Sequence, residues 1–266
     1  MVALLATVGY ACETIDEDER FIGPIEGVTP QDSTSEDSIL IIEKNVLIED
    51  FTGQRCLNCP NASKTIHEMQ AAFGKDRIIP VALHGGPMSI PAPAGLANAE
   101  SNGYNTKWNV SSWPKGMVNR KGGLLEHSSW SAAVMPLLKE NALVDIKADK
   151  STYNEETRSL NVNVDLTAID SLEATLQVWL IENDIIGYQL MPDGTNNLEY
   201  EHSHVFRTSV NGTDGEKVSL TKEETLAKQY EYTITDKTWK PENMAIVTFV
   251  ANENGVLQVI QTPIVK

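Results

Sequence analysis

Residues 46–59 have the sequence VLIEDFTGQRCLNC, which indicates the fold more directly than any other segment. Its first part, 46–51, is an apolar run typical of a buried strand, and 62–73 beyond it has the apolar spacing of a helix. Cys56 and Cys59 therefore stand where a strand gives way to a helix. Unpaired backbone N–H groups and the helix dipole stabilise a thiolate at a helix N-terminus. We therefore expect Cys56 to be the more exposed and more acidic thiol, and Cys59 to resolve a mixed disulfide.

Three chemistries fit this pair of cysteines. Two residues between the thiols are typical of thioredoxin-like redox sites, but a structural disulfide or half of a zinc site has the same spacing. A zinc site needs four ligands, whereas the chain has three cysteines and no second ligand pair at the usual spacing. Redox chemistry is favoured, a structural disulfide is the alternative, and we predict neither a metal site nor a cofactor.

An acidic residue in the preceding strand gives a first resemblance to thioredoxin. Asp50 lies six positions before Cys56 in an otherwise apolar run, where thioredoxin carries a buried acid that accepts a proton beneath the disulfide. Desolvation raises the pKa of such a carboxyl group towards a useful range. The alternative for Asp50 is an exposed acid on an edge strand, and Glu49 competes for the role.

A proline gives the second resemblance. Pro114 ends the phrase SSWP, residues 111–114, and directly precedes a short predicted strand. Thioredoxin-like folds place a cis-proline there, packed against the two cysteines. The elements predicted over 38–142 follow the order β-α-β-α-β-β-α, which is that of the thioredoxin fold. We therefore expect a cis peptide bond before Pro114, which would shape a substrate groove.

The segment before this domain has two parts. Residues 1–12 are an apolar run that ends at Cys12 and is too short to span a bilayer. The run resembles the end of a bacterial lipoprotein signal, so Cys12 is the predicted lipidation site; a frayed terminus with a chance cysteine is the alternative. Residues 13–37 are acidic and of low hydrophobicity, which predicts a disordered tether. Acidic residues after the cysteine also resemble Bacteroidetes signals for display on the cell surface.

Charge and export limit the partners. The net charge is −16, from 37 acidic and 21 basic residues, and no basic stripe interrupts it. Nucleic acid and anionic membrane surfaces are therefore disfavoured as partners, and contact with a membrane is expected only through the lipid anchor. Export implies an oxidising compartment, where the Cys56–Cys59 pair would rest as a disulfide until a partner reduces it.

The remaining residues, 143–266, predict a different architecture. Apolar and polar residues alternate over short runs such as 160–166 and 174–180, with turn signals such as Asn211-Gly212 between the runs. Many short strands with this period and few helices predict a β-sandwich. Two domains are thus expected, the first over 38–142, each large enough for its own core.

Two histidines in this second region form the triplet His202-Ser203-His204. On a strand, both imidazole rings would lie on one face and could bind a metal ion, but no third ligand is evident nearby. We expect instead that these side chains form hydrogen bonds at a strand edge or between the domains. The sequence assigns His202 and His204 no definite role.

The whole chain then resembles a named family. The lipoprotein-like start, VLIEDFTGQRCLNCPNAS, SSWP and EHSHVFRTSVNGTDGE are together similar to the outer-membrane protein twenty-eight family of Bacteroidetes lipoproteins. The resemblance implies an outer-membrane lipoprotein, exposed at the cell surface, with an α/β thioredoxin-like domain followed by an all-β immunoglobulin-like sandwich. Adhesin and receptor roles stand beside the redox motif in this family, so the resemblance indicates fold and location better than activity.

Two functions follow from these expectations. The first is a lipid-anchored cell-envelope thiol–disulfide oxidoreductase that acts on thiols or disulfides of exported proteins. Cys56 would exchange with the substrate, Cys59 would resolve the mixed disulfide and Asp50 would transfer the proton. The second is a surface adhesin or receptor, in which the thioredoxin-like fold is a scaffold, the disulfide is structural, and a host or envelope protein is the partner. The sequence leaves open whether the protein is an enzyme.

Overall fold

The computed structural model describes residues 41–265, and the predictions for Cys12, for 1–12 and for 13–37 lie outside the described residues. The described part is mostly β, with few helices. Its α-helices are α1 (Cys59–Phe73), α2 (Ala99–Lys107) and α3 (Trp130–Leu137). Its strands are β1 (Val46–Thr52), β2 (Ile78–His84), β3 (Lys115–Val118), β4 (Lys121–Leu125), β5 (Val144–Lys147), β6 (Thr152–Asn154), β7 (Ser159–Ala168), β8 (Leu172–Glu182), β9 (Ile185–Leu190), β10 (Asn196–His202), β11 (Val205–Ser209), β12 (Glu216–Leu220), β13 (Thr225–Thr233), β14 (Met244–Asn252) and β15 (Gly255–Pro263).

Strands β1 and β2 form the centre of the large sheet. Every residue of both strands is buried, as expected of near-continuous apolar strands with both faces covered. The two strands are parallel, with Asp50 paired to Ala82, and β3 pairs antiparallel with the other edge of β1. This arrangement brings the C-terminal ends of β1 and β2 and the start of β3 to the same end of the sheet.

The large sheet continues across the predicted domain boundary at residues 142 and 143. Its order is β15-β14-β8-β11-β2-β1-β3-β4, with β12 also paired to β8. Strand β11 lies parallel to β2, with Val205 paired to Ala82, and antiparallel to β8. An unpaired edge of β2 would expose backbone N–H and C=O groups, and β11 supplies their partner. The two sequence regions therefore share one sheet.

Three apolar clusters fill the interior. One cluster contains only residues from the first sequence region, and in it Val46 and Ile48 pack with α1 and α3. Another contains only residues from the second region, and in it β7 packs with β8 and β14. The middle cluster joins Leu47 and Phe51 of β1 to Trp179, Phe206 and Phe249. The sequence predicts one core for each region, whereas this middle core is built from both.

Two smaller sheets complete the fold. One has the order β13-β7-β5, with β6 also paired to β7, and the other is the β9–β10 hairpin. Strand β7 alternates strictly between half-buried and buried residues, as predicted for a strand with one face on a core. The hairpin belongs to neither larger sheet, and it lies over the cysteine pair.

Candidate functional site

The loop between β1 and α1 places the two cysteines. The N–H of Cys56 donates to the Gly53 carbonyl at 3.1 Å, and the N–H of Cys59 donates to the Cys56 carbonyl at 3.3 Å. A Cβ at Gly53 would lie 2.4 Å from the Met88 carbonyl oxygen, so the chain needs glycine at this position. Helix α1 begins at Cys59, with Pro60 in its first turn, where no N–H partner is required. Cys56 therefore precedes the helix, whereas the sequence predicts it at the helix N-terminus.

Cys56 and Cys59 form the predicted disulfide, with their Cα atoms 5.4 Å apart. Each residue is only 3% exposed. The expectation that Cys56 is the more exposed cysteine is therefore wrong for the oxidised protein. The physical reason is that a distant segment of the chain covers both cysteines, and the sequence around the cysteines does not indicate this segment.

That cover is the β9–β10 hairpin. The Gln189 side chain donates from Nε2 to the Cys56 carbonyl at 3.1 Å. The N–H of Leu190 donates to the Gln54 carbonyl at 2.8 Å, and the Gln54 amide donates back to the Tyr188 carbonyl at 3.3 Å. Sequence reasoning missed Gln189 because its partner lies 133 positions away, and no local pattern marks a contact at that distance.

Asp50 is the buried acid at this site. The residue is 3% exposed, and its Oδ1 atom has no hydrogen-bond partner within residues 41–265. Burial raises the pKa of Asp50 to about 8, because the interior disfavours the charged form. At neutral pH the carboxyl group is therefore mostly protonated and able to donate a proton. Glu49, its competitor, is fully buried but forms an ion pair with Arg120 at 2.8 Å.

A small cavity of about 30 Å³ connects Asp50 to the second cysteine. Cys59 and Asp50 both line the cavity, and so do Ser63 of α1 and His84 of β2. Burial lowers the pKa of His84 well below its usual value, with the nearby charge of His202 acting in the same direction. The cavity wall thus holds one cysteine sulfur, one neutral acid and a neutral imidazole.

Pro114 stands at the start of β3, and its peptide bond to Trp113 is cis, the isomer expected from the sequence. The next residue, Lys115, pairs with Phe51 near the end of β1. Because β1 and β3 are antiparallel, the proline and the loop that leads to Cys56 lie at the same edge of the sheet.

His202 and His204 lie on the far wall of the same cavity. The His202 ring is 5.5 Å from that of His84, measured between centroids, and its Nε2 is 3.2 Å from the Tyr188 carbonyl. Burial lowers the pKa of His202 to about 4 and that of His204 to about 3. Across residues 41–265, no group of three or more His, Cys, Asp or Glu side chains is arranged to bind a metal ion. From the sequence, this pair is expected to form hydrogen bonds at a strand edge or between the domains, without a definite role, because nothing local points to the cysteines.

Comparisons with solved structures support the fold. The structure of HBP35 of Porphyromonas gingivalis superposes with a TM-score of 0.68 at 15% identity, over 85% of this chain and 76% of that chain. The sporulation control protein Spo0M from Bacillus subtilis covers 46% of this chain and 48% of its own at 14% identity, but its TM-score of 0.30 is too low to indicate a shared fold. No curated protein matches the sequence.

The comparison with protein families identifies the chain. No helix of the described part is long and apolar enough to cross a bilayer. The model of the family Outer membrane protein Omp28 matches residues 101–266, more than half of the chain. The chain therefore belongs to the Omp28 family of outer membrane proteins, and the outer membrane is its location.

Proposed function

We propose that the protein is a lipid-anchored thiol–disulfide oxidoreductase of the outer membrane that acts on exported protein thiols. One observation carries the proposal. A buried acid, Asp50, lines the same cavity as Cys59 of a disulfide that bridges the junction between β1 and α1. A carboxyl group whose pKa is raised to about 8 can exchange a proton with a cysteine near neutral pH.

The proposed exchange conserves electrons and protons at each step. A substrate thiolate attacks Sγ of Cys56, the bond to Cys59 breaks, and its electron pair goes to Sγ of Cys59. Asp50 gives its proton to that sulfur. A second substrate thiolate then attacks the substrate sulfur of the mixed disulfide and releases Cys56 as a thiolate. Two substrate thiolates become one disulfide while the protein gains two electrons, and the reverse sequence reduces a substrate disulfide.

The finer description of the fold is part of the proposal. Residues 38–142 form a thioredoxin-like domain, which the observed order β1-α1-β2-α2-β3-β4-α3 and the cis Pro114 support. Residues 143–266 form an immunoglobulin-like sandwich, which the packing of β7 against β8 and β14 supports. This second domain orients the protein substrate over the cysteines.

The lipid anchor is proposed from the sequence. Cys12 carries the lipid, and residues 13–37 are a tether that displays the folded part at the cell surface. A Cys12→Ser protein should fold normally and leave the membrane fraction, since lipidation supplies the membrane affinity. Retention of that variant in the membrane fraction would contradict the anchor.

Disulfide exchange tests the enzymatic proposal. In a Cys12→Ser background, Cys56 and Cys59 are the remaining cysteines. We expect this protein to catalyse insulin reduction by dithiothreitol, and the additional Cys56→Ser change to abolish catalysis. Equal turnover with and without Cys56 would contradict the proposal.

A surface adhesin or receptor is the second candidate, because both cysteines are only 3% exposed beneath the hairpin. In that case the disulfide is structural and the partner is a host or envelope protein. A structural disulfide has a reduction potential below about −300 mV, whereas a catalytic pair has a higher one. A potential in the lower range, together with partner binding that survives Cys56→Ser, would favour the adhesin.

A further inference from the structure

Histidine is concentrated at one place in this molecule. The chain has five histidines, and three of them line the cavity beside Cys59. A fourth contacts one of these three at a ring-centroid distance of 6.2 Å. These four side chains are named the histidine path: His84, His202, His204 and His67.

The inner end of the path meets Asp50. Oδ1 of Asp50 and Nδ1 of His84 are both buried, and neither has a hydrogen-bond partner among the described residues. Buried polar groups without a partner are costly, so native proteins satisfy them with protein groups or ordered water. Both residues line one cavity of about 30 Å³, which is room for about two water molecules.

The outer end of the path reaches solvent. The His67 ring packs edge-on against that of His204, and His67 is exposed on α1. The backbone holds His204 in place, because its N–H donates to Oδ1 of Asn183 at 2.8 Å and its carbonyl accepts from the N–H of Ala82 at 2.8 Å. His204 adopts a φ of 58°, which turns the chain between β10 and β11. These contacts fix the backbone of His204, whose ring lies beside that of the exposed His67.

Burial keeps the three cavity histidines neutral, and nearby charges add to its effect on two of them. Burial is the main cause of the lowered pKa of each cavity histidine, and two cations act in the same direction: Arg207 on His84, and Lys75 on His204. Tyr200 also faces the cavity, and Asp50 raises its pKa in addition to the larger effect of burial. A neutral imidazole has one N–H donor and one acceptor nitrogen, so it can receive a proton on one side and release another on the opposite side.

We propose that the histidine path, with ordered water in the cavity, carries protons between solvent and Asp50. This inference rests on the proposed function. The path would restore the protonation state of Asp50 each time that acid exchanges a proton with Cys59. One proton enters at His67 for each proton that leaves Asp50, so the charge of the site is unchanged. Gln189, Tyr200 and His202 of the hairpin line the cavity, and Asp50 is only 3% exposed, so the acid has little direct contact with solvent and a built route supplies its protons.

The first test needs no turnover. The carbon-13 signal of the Asp50 carboxyl group is followed by NMR through its titration in the oxidised protein. We expect proton exchange with solvent to be about tenfold slower or more in His204→Asn than in the unmodified protein. Asparagine tolerates positive φ, so the backbone turn is retained. His127→Asn is the matched control, because His127 is the fifth histidine and contacts Thr65 instead.

A second variant guards against misfolding. His67 is exposed, so His67→Gln should leave the fold intact and slow the exchange at Asp50 by a similar factor. Imidazole added to the solvent should restore the exchange in this variant, a rescue that a structural role would not show. Unchanged exchange at Asp50 in both His204→Asn and His67→Gln would overturn the path.

The two proposals fail separately. In catalysis, we expect His204→Asn to slow thiol–disulfide exchange about tenfold, with a solvent isotope effect larger than that of the unmodified protein. If the unmodified protein exchanges no disulfides, the proposed function fails, while the NMR titration still decides the path. If thiol–disulfide exchange is fast and equal in all variants, the proposed proton path is wrong, while the proposed oxidoreductase function is retained.

Discussion

Glu49 and Asp50 are neighbouring acids on opposite faces of strand β1, and their surroundings differ. Glu49 is fully buried, and both of its oxygens accept hydrogen bonds from Arg120 at 2.8 and 2.9 Å. The guanidinium group of Arg120 in turn lies over Trp108, Trp179 and Phe249. Asp50, the next residue, is almost as deeply buried, but within residues 41–265 it forms no ion pair and its Oδ1 lacks a hydrogen-bond partner.

This difference distinguishes a structural acid, Glu49, from an acid that can take part in chemistry, Asp50. A buried charge is tolerated when a partner and hydrogen bonds compensate it, as they do for Glu49. An unpartnered acid instead remains protonated, as the pKa of about 8 at Asp50 indicates. The paired face holds β1 to β3 and to the middle core, whereas the unpaired face adjoins the disulfide. Each of the following predictions tests one side of this comparison.

The largest effect is expected at Asp50. Its folded pKa is raised from 3.8 to about 8, so the stability it contributes is fully present below the unfolded pKa and is lost as pH rises through about 8. The loss amounts to roughly 6 kcal/mol over that window. Asp50→Asn should remove this loss, so its free energy of unfolding in urea should exceed that of the unmodified protein at pH 9 but not at pH 4. The exposed Asp170 provides the control substitution Asp170→Asn; equal pH profiles for Asp50→Asn and the unmodified protein would sink the idea.

The paired face should respond in the opposite sense. Arg120→Gln leaves the Glu49 carboxylate buried without its cation, which costs about 3–5 kcal/mol. The double variant Glu49→Gln with Arg120→Gln should recover much of that loss, because no charge is then buried unpaired. Chemical denaturation of both variants at pH 7 measures the difference. A single variant as stable as the unmodified protein would mean that the pair is not a structural ion pair.

A histidine that lines the same cavity as Asp50 should have an effect at acid pH. The folded pKa of His202 is lowered to about 4 from 6.5, so its contribution is present above the unfolded pKa and is lost as pH falls through about 4. The loss is about 3 kcal/mol. His202→Gln keeps a donor for the Tyr188 carbonyl and has no titrating ring, so it should unfold at lower pH. Acid unfolding followed by circular dichroism checks this, with His127→Gln as the control outside the cavity.

The smallest effect is expected at the cover over the disulfide. Gln189→Ala removes the hydrogen bond to the Cys56 carbonyl, a contribution of about 1 kcal/mol. The hairpin should then open more often, and a small phosphine should reduce the disulfide about fivefold faster. Ile186, which is 59% exposed on the same strand, gives the control Ile186→Ala. Equal reduction rates in all three proteins would show that the hairpin does not limit access.

The sequence predicted the local features well. The strand–cysteine–helix junction, the buried β1 and β2 and the alternation of β7 all depend on residues close together in the chain, whereas the sequence left open whether Asp50 is buried. The turn after β3 shows where local reasoning fails. Two consecutive glycines, Gly122 and Gly123, favour a turn by residue type, but the chain turns at Asn119 and Arg120, both at positive φ. Arg120 is held there by Glu49, 71 positions away.

The parts that could not be predicted are long-range contacts. The hairpin over Cys56 depends on the pairing of Gln189 with a distant carbonyl, and β11 beside β2 depends on an edge that no local pattern reveals. For the same reason His202 and His204 had no predicted role, although both line the cavity beside Asp50. Single-sequence patterns report which face of an element is buried, but they do not report which distant segment buries it.

The pairing of β11 with β2 makes the cysteine unit a poor candidate for transplantation. A chain cut after residue 142 would lose Val205 from the edge of β2, and Trp179, Phe206 and Phe249 from the core that β1 shares. The exposed edge would then be open to pairing with other chains. Gene fusion or domain shuffling therefore could not move the cysteine pair alone into another protein. Changes to residues 143–266 and to the cysteine site must instead be inherited together, as a single unit of selection.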